Sequence, residues 1–222
     1  MELYEATPAG DARRAVVVVQ EAFGVNDHIK DVTRRFAAAG YHAAAPALFH
    51  RAGGGTASYD DFATVLPLYE GLTDDGILMD IEAALAHLHA RGFEDAQIGI
   101  VGFCFGGRVT FLVAAERSFG AAVGFYGGGI VNARFPQFPA LIDRTSALRT
   151  PWLGLFGDQD SSIPVEDVET LRAVLADAPV DGEIVRYADA EHGFHCDVRP
   201  AFNPIAAADA WRRTLEWFAT HL

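Results

Sequence analysis

The sequence predicts an α/β protein: a mostly parallel central sheet with helices on both faces. Three observations carry this. Short runs of β-branched and small apolar residues alternate with amphipathic stretches along the whole chain, the order that builds parallel sheets through right-handed crossovers. A glycine-flanked cysteine, Cys104, stands between one such run and a helical stretch. The 222 residues contain no repeat and no linker-like shift in composition, so one domain over 1–222 is expected.

Ala15-Val16-Val17-Val18-Val19 is continuously apolar, as a strand covered on both faces must be. Asn26-Asp27 caps a helix that runs to about Ala39 and is closed by Gly40. Tyr41 to Ala45 reads as a short strand before Pro46. Residues 47–72 mix glycines, aromatics and acids, and read as a long loop or cap. Asp74 to His89 regains helical spacing through Ile77, Ile81, Ala84, Leu85 and Leu88, and Arg91-Gly92 ends it. Gln97–Val101 is a strand, and Arg108–Ala115 a helix that accounts for Arg108. Ala121–Phe125, Trp152–Phe156 and Glu183–Tyr187 are further strands, with Val165–Leu175 a helix between the last two. A final helix from about Ala206 to Leu222 is expected to bury Trp211, Leu215 and Phe218.

Seventeen basic against thirty acidic residues give a net charge of −13. That charge opposes contact with phosphate backbones and anionic membranes. No apolar run is long enough to cross a bilayer, and the first residues, Met1-Glu2-Leu3-Tyr4-Glu5, lack a basic start and apolar stretch. A cytoplasmic protein, monomeric or a small homo-oligomer, is the expectation. Two cysteines, Cys104 and Cys196, make no disulfide framework. His192, His195 and Cys196 lack the ligand spacing of a zinc site, so neither metal nor cofactor is expected.

The chemistry centres on Gly102-Phe103-Cys104-Phe105-Gly106. A Gly-x-nucleophile-x-Gly turn holds its middle residue at a sharp strand-to-helix bend, exposed above the sheet at the positive end of a helix. A buried structural cysteine is the alternative. The fold then calls for an acid and a histidine later in the chain, at the carboxyl ends of strands. Gly157-Asp158-Gln159-Asp160 and Glu191-His192-Gly193-Phe194-His195 supply them. Asp160 is favoured over Asp158, which suits a plain turn, and His192 over His195. In such a triad His192 takes the thiol proton and Asp160 fixes the ring. Backbone N–H groups of Phe105 and of Ala22 would hold the developing oxyanion.

Gln20-Glu21-Ala22-Phe23-Gly24-Val25-Asn26, Gly102-Phe103-Cys104-Phe105-Gly106-Gly107 and Glu191-His192-Gly193-Phe194-His195 together resemble the dienelactone hydrolase family, the carboxymethylenebutenolidases. The resemblance extends through Gly40-Tyr41, Pro46-Ala47-Leu48-Phe49 and the last helix. It implies an α/β-hydrolase fold and a triad of Cys104, His192 and Asp160. It also implies that Glu21 pairs with the resting thiol. In relatives acting on muconate-type lactones an arginine stands four residues after the histidine; here that position is Cys196. Arg199, Arg51 and His50 lie in segments near the expected site, and Tyr59 and Tyr69 are candidates to line its cap.

The expected function is a thiol hydrolase cleaving lactones or activated esters through a thioester acyl-enzyme. The alternatives are a non-catalytic small-molecule-binding protein on the same scaffold, and a redox thiol pairing Cys104 with Cys196.

Overall fold

A computed structural model describes residues 1–222. Seven strands form one sheet in the order β1-β3-β2-β4-β5-β6-β7. They are β1 (Leu3–Ala6), β2 (Ala15–Val19), β3 (His42–Pro46), β4 (Ile98–Phe103), β5 (Ala121–Phe125), β6 (Trp152–Gly157) and β7 (Gly182–Tyr187). All neighbours run parallel except β1, which is antiparallel to β3. Every residue of β2 and β4 is buried, because helices close both faces and leave no solvent side on which polar residues could alternate. The expected α/β-hydrolase sheet is therefore present. No helix is long and apolar enough to cross a membrane.

The helices are α1 (Asp27–Ala38), α2 (Leu66–Tyr69), α3 (Asp74–His89), α4 (Phe105–Glu116), α5 (Val165–Leu175) and α6 (Pro204–His221). Asn26 caps α1 by accepting from the Ile29 N–H, as its position suggested. The apolar stripe of α3 buries Ile77, Ile81, Ala84, Leu85 and Leu88, together with Asp80. The 47–72 segment holds two short 3₁₀ turns and α2.

Four differences from the sequence reading matter. Strand β1 was not anticipated. Strand β4 runs to Phe103 and α4 starts at Phe105, three residues before Arg108; a single residue, Cys104, makes the bend. In α6, which Asn203 caps two residues earlier than expected, Phe218 is fully buried but Trp211 and Leu215 only partly. Small side chains, Ala206, Ala207, Ala210 and Thr214, supply the rest of its buried stripe.

Candidate active site

Cys104 adopts φ 54°, ψ −113°, a backbone conformation that side-chain-bearing residues avoid and that persists only where surroundings enforce it. The surroundings are visible. The Cys104 N–H donates to the Phe125 carbonyl at 3.0 Å, and its own carbonyl accepts from Gly107 and Arg108 as α4 begins. The chain can bend this sharply only because its neighbours are bare. A Cβ on Gly102 would lie 2.1 Å from the Gly106 carbonyl oxygen, and one on Gly106 would lie 2.5 Å from that of Val19. The sulfur is left partly exposed.

His192 follows β7 and lines the same cavity as this sulfur. Its Nδ1 donates to Asp160 Oδ2 at 2.6 Å. Asp160, almost fully buried after β6, is itself fixed by Ser162, whose N–H and hydroxyl donate to Oδ1 at 2.8 and 2.5 Å. Burial works against a charged His192 ring, but the facing Cys104 sulfur and the Asp160 carboxylate outweigh it and raise its pKa to about 10. Burial likewise works against the Asp160 anion, and its bonds from His192 and Ser162 outweigh it and hold the carboxyl below its ordinary value. The rivals lie elsewhere. Asp158 is taken by Arg186, which donates to both its oxygens at 2.7 and 2.8 Å. His195 is buried in the core, stacked between Phe103 and Trp211.

Cys104 and His192 line a cavity of about 290 Å³. Ala22 and Phe105 are in its wall, and neither backbone N–H donates to an acceptor within the protein. Phe62 and Tyr69 come to the wall from the 47–72 segment, Phe135 and Phe138 from the β5–β6 connection. Tyr69 stacks on Phe135 at 5.3 Å and meets Phe105 edge-on at 5.2 Å.

Three expected wall residues are not there. Arg51 is drawn to Asp80, which also accepts from His50; a carboxylate buried on α3 needs these partners. Tyr59 donates to Glu21 Oε2 at 2.6 Å and accepts from Asn26 at 3.0 Å. Arg199 lies over the Tyr59 and Phe23 rings, its Nη1 4.0 Å from Glu21 Oε1. Glu21 itself is fully buried. Its Oε1 takes no hydrogen bond, from Cys104 or any other donor; only Oε2 is bonded, by the Tyr59 hydroxyl.

The wall also contains residues that sequence reading missed: Arg108, Arg134, Ser162 and the aromatics Phe62, Phe135 and Phe138. Arg108 does more than fill a helix. It is buried, donates to both Asp74 oxygens at 2.7 and 3.0 Å and to the Pro139 carbonyl at 2.6 Å, and so ties α3 to α4 and to the β5–β6 connection. A lone charge ahead of an uncharged stretch, Val109 to Ala115, whose only polar residue is Thr110, was the available signal.

A strained residue at a strand–helix bend above a parallel sheet, facing an imidazole, is the construction of an α/β hydrolase, and the chain is of that class. Comparison with known proteins is more specific: the profile of the dienelactone hydrolase family matches residues 1–222, and the chain belongs to that family. It is 42% identical over 230 residues to a Salmonella typhimurium protein provisionally assigned as a carboxymethylenebutenolidase, covering 100% of this chain and 83% of that one. To the carboxymethylenebutenolidase of Rhodococcus opacus it is 32% identical over 221 residues, covering 97% and 83%. A crystal structure from Klebsiella pneumoniae, provisionally assigned as a dienelactone hydrolase, superposes with a TM-score of 0.86 at 38% identity, covering 98% of this chain and 92% of the other. The protein is a hydrolase of the carboxymethylenebutenolidase type.

Proposed function

We propose that the protein hydrolyses lactones or activated carboxylic esters through Cys104, with His192 as general base and Asp160 orienting it. The observation that carries this reading is the 2.6 Å His192–Asp160 bond in a cavity that His192 and Cys104 line together. His192 holds the proton of the Cys104–His192 couple while sulfur adds to the carbonyl carbon. The carbonyl oxygen becomes an oxyanion, received by the unpartnered N–H groups of Ala22 and Phe105. Collapse expels the alkoxide, which takes the proton from His192 and leaves a thioester. Water, deprotonated by the same ring, then attacks the thioester and restores the thiol. A lactone keeps its leaving group tethered, so one hydroxy acid departs.

The apolar and aromatic wall suits an acyl group with little polarity. The chain is read as one hydrolase domain whose 47–72 segment, through Phe62 and Tyr69, caps the cavity.

The test is turnover of an aryl acetate and of a dienelactone. Cys104→Ala is expected to lower kcat at least about 1,000-fold on any substrate turned over. Rapid quenching should capture wild-type protein heavier by one acyl group, on the peptide that contains Cys104. An unchanged rate in the variant, or no turnover by wild type, would overturn the reading.

A further inference from the structure

Apart from the cavity residues, three different donor types converge in the interior. The Glu21 carboxylate, the His28 imidazole and the Cys196 thiol offer ligand atoms that all lie within 4.8 Å of one another, and all three residues are buried. These groups are poorly satisfied. Glu21 Oε1 and both ring nitrogens of His28 have no hydrogen-bond partner, although the two residues are 0% and 4% exposed. The nearest opposite charges stand off, Arg199 at 4.0 Å from Glu21 and Asp197 at 3.8 Å from His28. Orphaned buried polar atoms are costly and ask for an ion or a water. The Tyr59 hydroxyl adds an oxygen to the group, donating to Glu21 Oε2 at 2.6 Å and accepting from Cys196 Sγ at 3.5 Å.

A way in exists. A surface groove is lined by His28 and Tyr59 and by four aspartates, Asp27, Asp31, Asp60 and Asp197, against a single cation, Arg35. Arg35 is engaged with Asp31 and Asp197. Such a mouth concentrates cations.

We propose that Glu21, His28 and Cys196 form a binding site for a thiophilic divalent cation of the zinc type, entered through this acidic groove. The donor set selects the ion: one thiolate, one imidazole and one carboxylate suit zinc rather than magnesium or calcium. Bond lengths of about 2.0–2.3 Å place tetrahedral donors roughly 3.3–3.7 Å apart, so donor pairs that lie within 4.8 Å need approach by no more than about 1.5 Å. On binding, the Cys196 S–H bond breaks, its electron pair goes to the ion and its proton to solvent; His28 binds neutral. The two anionic ligands balance the ion's charge. Sequence spacing gives no metal site, because His28 lies 168 residues from Cys196 and only the fold brings the two together, while His195 packs into the aromatic core.

The full chain, stripped with a chelator, is titrated with Zn²⁺ by calorimetry and with Co²⁺ by absorption, where cobalt–thiolate charge transfer reports a sulfur ligand. One ion per chain is expected. Affinity should fall by at least about tenfold in Cys196→Ser and in His28→Gln, the charge-transfer band should vanish in Cys196→Ser, and Cys104→Ala should bind like wild type. Circular dichroism checks each fold, and His28→Gln decides alone if Cys196→Ser does not fold. No saturable binding, which would leave buried water as the partner of these atoms, overturns the proposal. So does binding unaffected by either variant, or binding lost in Cys104→Ala.

Discussion

At the scale of single residues, what decides the chemistry is which charges face His192. An isolated imidazole is half protonated near pH 6.5; this ring stays protonated to about pH 10 because the Cys104 sulfur and the Asp160 carboxylate outweigh the cost of its burial. In Cys104→Ala, with its partner charge gone, the His192 midpoint is expected to drop well below 10. Asp160→Asn should lower it as well, by removing the charge held 2.6 Å from Nδ1. Carbon-bound ring protons followed by NMR across pH 5–11 measure this directly, and an unmoved His192 midpoint in Cys104→Ala would mean that the sulfur does not raise it. Cys104, Asp160 and His192 were legible in the sequence because each follows a strand at a turn with its own chemistry, and because their order along the chain is restrictive. The cavity wall was not. Phe62 sits in a three-residue 3₁₀ turn and Arg134, Phe135 and Phe138 in an irregular connection, where periodicity does not fix side-chain direction.

At the scale of elements, the strands read correctly were those whose burial forces a continuous apolar run. Strand β1, only Leu3–Ala6 and half-buried throughout, has no such run, and pairing alone defines it. It covers the outer edge of β3 (Leu3 opposite Pro46, Ala6 opposite Ala43), an edge that would otherwise present free backbone groups. A polar cluster supplies what apolar area does not. Glu5 Oε1 accepts from His42 and His87 at 2.9 and 2.8 Å, and Oε2 accepts from Arg91 at 3.0 Å. Burial raises the Glu5 pKa, but these bonds outweigh it and hold the carboxyl below its ordinary value. A lowered carboxylate stabilises the fold above its unfolded pKa and ceases to do so as pH falls through the folded one. Glu5→Gln is therefore expected to cost about 1–2 kcal/mol in urea unfolding at pH 7, with the gap to wild type closing below about pH 4. A variant equal to wild type at pH 7 would mean that β1 is held by its backbone alone. The same logic explains the fate of Arg51: Asp80 is buried on α3 and claims it, a pairing across 29 residues that no local pattern announces.

For the whole molecule, the histidines sealed in the interior set how the fold responds to acid. His195 is 2% exposed, stacked on Phe103 and Trp211, edge-on to Phe125 and 6.1 Å from the His28 ring. Burial is the chief cause that lowers its pKa to about 3, and His28 and Arg35 add to it while Asp197 opposes. His28 is lowered too, again chiefly by burial. Once unfolded, both rings return to about 6.5. Between those values the unfolded chain binds protons that the folded chain does not, so stability must decline as pH falls from about 6.5 towards 3. For His195 alone the integrated loss is on the order of 4 kcal/mol. Carboxyls held below their ordinary values, Glu5, Asp160 and Asp197, extend the decline at lower pH. The interval from pH 6.5 to 4.5 therefore belongs to the histidines. In chelator-treated protein, His195→Phe keeps an aromatic ring in the stack but cannot take a proton. Its unfolding free energy in urea, measured across that interval, is expected to decline distinctly less than that of wild type, His28 supplying the remainder. Parallel slopes for the two proteins would mean that His195 is protonated inside the folded state, and that the aromatic stack around it is more open to water than its burial indicates.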